Sequence, residues 1–392
     1  MQKRSVANLK AFQFFFHSAA TIIISFLPLY FKNEGLTGTE IGWLLAIGPF
    51  VSLLVQPFSG YMSDKYQTVK RVLIVCLIGL ILSSTVLFQM NSFAALMLAG
   101  AMFFCFMSPI GALGDSLAQK TADQRKIPFG SIRTWGSIGF STTALITGQV
   151  LSIIGVGNMI FPYLFYAGSA FLLSFFISDV KVSQQPVKFV EAGKLLKNQK
   201  LVLFLFFMMF ITVTHRANDS FIAIYITQLG GDESLVGIAW FAGVASEAVM
   251  FALSTLWFRR FHELTFMFVA GLLYGTRWVI YSFIDQPMTL IGFQVLHGIC
   301  FAIFYLSGFQ YVTRIIPRHL QSTGHLLFVS VFFGLSGILG SLLGGMIMDQ
   351  AGGHTLYRLM SYFAFAGSAA FILYRLVSKR MARNTRVSHH LS

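Results

Sequence analysis

The chain holds 392 residues, 56% hydrophobic, only 11% charged and 43 of them Phe, which excludes a soluble domain of ordinary composition, where about a quarter of residues are charged. Lys and Arg outnumber Asp and Glu by 28 to 14, a net charge of +14. Those charges are spread between apolar runs and not gathered in a patch, so they carry no nucleic-acid footprint. Cys76, Cys105 and Cys300 lie inside apolar runs without CxxC spacing, so they signal neither disulfide nor metal and read as small core residues.

Apolar runs long enough to cross a bilayer, about 20 residues as helix, recur at roughly 9–31, 40–61, 69–90, 93–117, 128–154, 157–178, 200–228, 234–257, 263–284, 287–312, 320–348 and 355–377. The expected fold is an all-α polytopic membrane protein of twelve transmembrane helices. The first run is too long, and too polar around Gln13 and His17, for a cleaved signal peptide. Every second connection collects Lys and Arg, for example Lys65, Lys70, Arg71, Lys120, Arg125 and Lys126. The alternate side keeps Lys32 and Arg358. By the positive-inside rule both termini are cytoplasmic, and the chain is multi-pass in an inner or plasma membrane. His17, at lipid depth, reads as a structural residue.

Between the second and third runs stands Gly60-Tyr-Met-Ser-Asp64-Lys65, closing with Lys70-Arg71. Alone, this is a solvated turn in which Gly60 permits close approach of two backbones. Gly, Asp and paired bases at this spacing resemble the loop signature of the major facilitator superfamily, whose role there is conformational switching. Its counterpart in the second half, Trp257-Phe-Arg259-Arg260, keeps only the basic end. The longest polar segment, with Gln184, Gln185 and Pro186, divides the chain into 1–180, a cytoplasmic linker 181–199, and 200–392. That division is similar to the superfamily plan of two six-helix bundles with a binding site near the membrane midplane.

Ser108-Pro-Ile-Gly-Ala-Leu-Gly-Asp115-Ser-Leu-Ala and Phe129-Gly-Ser-Ile-Arg133-Thr-Trp-Gly136 place one acid and one base in facing apolar runs. These motifs resemble the phenylpropionate permease group and, more distantly, lactose permease, as do Thr276-Arg277-Trp278 and Gln294-Val-Leu-His297-Gly. The segments around His215 and Glu247 resemble the phenylpropionate group. The resemblance implies that Asp115 and Arg133 bind substrate and that Arg277 and His297 serve proton coupling. Two departures matter. Cys300 stands where lactose permease has its proton-carrying carboxylate, and Gln294 where it has a lysine. Arg216 to Asp219 also replaces residues that are aromatic in the phenylpropionate group.

Charges within apolar helices face a partner or a watery cavity, because one at the helix centre costs roughly 2.5–3.5 kcal/mol on insertion scales. Asp115 and Arg133 read as a structural ion pair or as a substrate grip. On one helix, Asp219 can pair with Arg216 at i+3 spacing or with His215 at i+4. Glu247 has no local partner, and Arg277 is the expected distant one. Asp219 and Glu247 are the candidate proton carriers. Trp135, Trp240, His215 and His297 are candidate substrate contacts. His325 reads as structural, and Gly334, Gly337, Gly340, Gly344 and Gly345, with one GxxxG pair at Gly340 and Gly344, as a close helix contact serving the rocking of the halves. No catalytic pattern and no phosphate-cradling loop is present, so neither an enzyme nor a cofactor is expected. The expected function is secondary active transport of a small organic solute, aromatic monocarboxylate before nucleoside or oligosaccharide, by proton symport in a monomer. A proton-coupled exporter and a non-transporting solute-binding protein are the alternatives.

Overall fold

In hydrocarbon a backbone must satisfy its own hydrogen bonds, so each apolar run folds as a helix. The structure, a computed structural model, describes residues 2–179, 193, 195–258 and 262–390. Most of the expected linker 181–199, with Lys181, Lys188 and Lys194, lies outside the described residues, as do Arg259 and Arg260. The helices are α1 (Gln2–Asn33), α2 (Gly38–Lys65), α3 (Val69–Leu87), α4 (Phe93–Arg125), α5 (Gly130–Ile154), α6 (Ile160–Ser174), α7 (Gln199–Gln228), α8 (Glu233–Ala252), α9 (Glu263–Tyr281) and α10 (Pro287–Ile315, bent at Gln294). After α10, helix runs almost unbroken to His390, but Gly352 at φ +75° interrupts it. Only a glycine adopts that backbone cheaply. The last stretch is therefore two spans, α11 (321–351) and α12 (353–390), which completes twelve.

Short polar residues set the helix starts. Thr37 and Glu40 form a reciprocal capping box on α2, Asn198 caps α7, and Asp232 caps α8. Asp179 takes the α3 end, accepting from Thr68 Oγ1 and from the Val69 and Lys70 N–H groups. Lys70 Nζ donates to Phe175 O at 2.7 Å. Of the loop signature, Lys70 thus ties α3 to the end of α6, while a Cβ built on Gly60 would meet nothing within 4 Å, so no second backbone approaches closely there.

Helices α1 to α6 pack among themselves, α1 on α5 and α6, and α4 on α2 and α3. Helices α7 to α12 form the second bundle, where α7 and α9 pack on α12, and α8 on α10. The bundles meet where α5 crosses α8 and α2 crosses α11. These crossings are tightest at the end away from the chain termini. A Cβ built on Gly148 would stand 3.0 Å from Gly237 Cα, and one on Gly345 would stand 2.9 Å from Gly42 Cα. There Asp349 of α11 also accepts from Gly38 N–H at 3.3 Å and Thr39 Oγ1 at 3.1 Å, on α2. Gly340 and Gly344 do not serve this interface. They pack inside the second bundle against Val213, Ala217 and Phe221 of α7, whereas Gly334, Gly337 and Gly345, glycines of the same expected contact, meet Leu53, Pro49 and Gly42 of α2.

Backbone contact at glycine leaves no room for a side chain. Gly237→Leu is expected to hold the α5–α8 crossing apart and lengthen spin-label distances across that end. Unchanged distances in a folded variant would show that the crossing is not a gate.

Candidate substrate and proton site

The first bundle contributes α1, α4 and α5. Arg133 Nε lies 3.1 Å from Asp115 Oδ1, and the two side chains are 34% and 42% exposed. Both are thus reached from outside the packed helices, where lipid would be a costly neighbour for either charge. Gln13 of α1, fully buried, donates from Nε2 to the same Asp115 oxygen at 3.3 Å. Gly136, one turn beyond Arg133, lets side chains lie against the α5 backbone: a Cβ there would stand 2.7 Å from Arg133 Nη1 and 2.8 Å from His17 Nδ1.

The second bundle holds a larger set. On α7, Asp219 Oδ2 pairs with Arg216 Nη1 at 2.8 Å and with His215 Nε2 at 3.5 Å, so both expected helical pairings form at once. His215 Nδ1 is bonded to the Tyr274 hydroxyl at 3.1 Å, which fixes the ring from α9. Arg277, also on α9, is fully buried. It donates from Nη2 to Gln294 Oε1 at 2.6 Å, an oxygen that also accepts from the Tyr281 hydroxyl at 2.6 Å. Nη1 reaches His297 Nδ1 at 3.4 Å, and the guanidinium lies 4.4 Å from the Trp278 ring and 4.9 Å from the Tyr281 ring. A neutral cage of amide, imidazole and ring faces thus holds a buried cation.

This corrects one expectation. Arg277 is not the partner of Glu247. Among the described residues Glu247 makes no ion pair, and the charges that act on it are Asp219 from its own bundle and Arg133 from the other. Its place on α8 is fixed by α10: Gly298 packs against the backbone of Ser246 and Glu247, and its N–H donates to Ser246 Oγ at 3.1 Å.

The aromatic residues divide. Trp240 is buried beside Phe140 of the first bundle, ring centroids 6.0 Å apart, and beside His297 at 6.5 Å. Trp135 is 42% exposed and makes no ring contact among the described residues. Two residues beyond Arg133 it points about 200° around the helix, so the structure does not bring it to the set. A wall not foreseen in the sequence runs from His215 to Phe301, stacked at 5.2 Å, and on to Tyr305 at 5.4 Å. Phe332 and Phe333 come from a π-helical stretch of α11, Ser330–Leu335, and pack on His215 and Arg216. His325 stacks on Phe309 at 3.8 Å and bonds Thr313 Oγ1, as a structural residue does.

His215, Asp219 and His297 offer ligand atoms within 4.8 Å of one another. Arg216 already holds Asp219 Oδ2 and Arg277 already donates to His297 Nδ1. Two guanidiniums beside the set oppose a cation. Gln294→Leu would strip Arg277 of its acceptor oxygen, and is expected to cost about 2–3 kcal/mol, read as a lowered melting temperature. An unchanged melting temperature would show that the ring faces suffice.

Comparison with known proteins places this geometry. A family model described as the MFS_1 like family matches residues 6–359. The maltose permease of Geobacillus stearothermophilus is 26% identical over 95% of this chain and 94% of its own length. A probable 3-phenylpropionic acid transporter of Escherichia coli (strain K12) is 29% identical over 74% of this chain and 78% of its own. The crystal structure of the nucleoside transporter NupG superposes with a TM-score of 0.84 at 17% identity, covering 94% of this chain and 98% of that one.

Proposed function

Since this chain belongs to the MFS_1 like family, a family of membrane transporters and not of enzymes, we propose that it is a proton-coupled symporter for a small neutral solute bearing a ring and several hydroxyls. The carrying observation is the contrast among the acids. Asp115 is paired to Arg133, and Asp219 to Arg216, while Glu247 has no ion pair among the described residues. A carboxylate without a cation beside it can exchange a proton as its surroundings change. Glu247 is therefore the proton carrier, and Asp219 orients His215 and Arg216.

The same pairing changes the substrate. Three arginines invite an anion, as the sequence reading expects for an aromatic monocarboxylate. Yet Arg133 and Arg216 are each neutralised by their own carboxylates, and Arg277 is sealed from the cavity. What remains is a balanced set of donors and acceptors in the first bundle and the stacking wall Phe301–Tyr305 in the second. Such a pair of surfaces suits a hydroxylated ring, as in a nucleoside or a glycoside. With the basic end of the chain in the cytoplasm, the glycine crossings close the outer side and the site faces inward. Transport then proceeds by rocking of one bundle on the other, in a monomer within the cytoplasmic membrane.

Uptake into proteoliposomes under an imposed inward proton gradient tests this with uridine, maltose and 3-phenylpropionate. Accumulation of uridine or maltose, abolished when the gradient is collapsed, is expected. Accumulation of 3-phenylpropionate alone would overturn the substrate class, and silence in folded protein would overturn symport. Glu247→Gln is expected to lose accumulation yet keep exchange down a solute gradient. Gradient-driven accumulation by that variant would remove Glu247 from the role.

A further inference from the structure

We propose that His17, on α1, is a specificity-determining residue that accepts a hydrogen bond from a substrate hydroxyl through Nε2, with Asp115 and Arg133 completing a site for two neighbouring hydroxyls of a sugar ring. The proposal rests on the reading of a hydroxylated substrate given above and adds the subsite that recognises it.

Three observations carry it. First, His17 Nδ1 lies 2.9 Å from Gln13 O. A carbonyl only accepts, so Nδ1 carries the hydrogen, and in the neutral ring Nε2 keeps its lone pair. That nitrogen has no partner among the described residues. Second, the ring is placed and not loose. Phe16 packs edge-on at 5.3 Å, and Gly136 lets the imidazole and the Arg133 guanidinium lie together against one face of α5. Third, Asp115 spends a single oxygen on both neighbours, since Gln13 Nε2 and Arg133 Nε both reach Oδ1. Its Oδ2 has no partner among the described residues.

One patch thus presents two acceptors, His17 Nε2 and Asp115 Oδ2, beside a guanidinium donor. A hydroxyl both donates and accepts, so a pair of them can donate to the two acceptors while taking a bond from Arg133. A carboxylate offers no hydrogen to either acceptor. Gln13 acts here as a positioning residue, holding Asp115 so that its second oxygen is left for the ligand.

The test is equilibrium binding to purified protein of uridine against 2′,3′-dideoxyuridine, and of maltose against 2-deoxymaltose, with melting curves for every variant. The wild type is expected to prefer a hydroxylated member about tenfold, because a site built for a hydroxyl leaves buried polar groups unpaired with an analogue lacking it. His17→Phe keeps a ring of similar size without the acceptor. It is expected to lose about 5- to 10-fold of affinity for the hydroxylated ligand alone, so that discrimination collapses. His17→Gln, which restores an acceptor oxygen, is expected to recover part of it. Retained discrimination in a folded His17→Phe would overturn the subsite. So would a His17→Gln variant that weakens both members of a pair equally, and that second variant decides the matter if His17→Phe fails to fold. Wild type that binds a hydroxylated ligand without preferring it over its analogue overturns the subsite alone. Wild type that binds neither uridine nor maltose overturns the substrate class, and the subsite with it.

Discussion

A charge in a bilayer needs a partner, and among the described residues each ion pair of this protein lies within one bundle. Asp115 and Arg133 both belong to the first six helices. His215, Arg216 and Asp219 share one helix, and the amide, imidazole and rings around Arg277 come from α9 and α10. Among the described residues no ion pair crosses between the bundles. What does cross is packing, with glycine backbone at two helix crossings and the Phe140 and Trp240 rings among it, and the Asp349 carboxylate on the start of α2. Separating the bundles therefore breaks van der Waals contact and two surface hydrogen bonds, and no buried ion pair, whose rupture would cost about 3–5 kcal/mol. The proposed rocking of the bundles would therefore be of modest cost.

Glu247 is the exception to that arrangement. It sits on α8, the helix that crosses α5, without an ion pair among the described residues, under the fields of Asp219 from one bundle and Arg133 from the other. Its electrostatic surroundings must change as the bundles move, whereas those of Asp115 and Asp219 travel with them. The proposal of proton exchange at Glu247 rests on that asymmetry. It also explains how the chain dispenses with an acid one turn beyond His297, where Cys300 stands fully buried.

Much of this was legible in the chain. The twelve spans followed from apolar length alone, including the break before 355 that Gly352 makes by its left-handed backbone. The pairing of Asp219 was legible because it obeys helical spacing. The partner of Arg277 was not, since tertiary packing decides it: Gln294 was visible as a departure, but not as the oxygen that a buried guanidinium needs. Tyr274, Trp278 and Tyr281 did leave a signal, an aromatic face at i, i+4 and i+7 alongside Arg277. Gly340 and Gly344 carried a motif without a direction, and only packing shows that they serve α7 while Gly345 meets α2. The π-helical stretch of α11 has no sequence signature of its own, and it alone brings Phe332 and Phe333 to the charged set.

The central claim is that Glu247 takes and gives the coupled proton. Infrared difference spectroscopy of the protein in lipid, across a pH step with and without bound uridine, observes the carbonyl stretch of a protonated carboxyl directly. The account predicts a substrate-sensitive band that vanishes in Glu247→Gln and survives in Asp219→Asn. A band that persists in Glu247→Gln and disappears in Asp219→Asn would contradict it, and would make the paired acid of α7 the proton carrier.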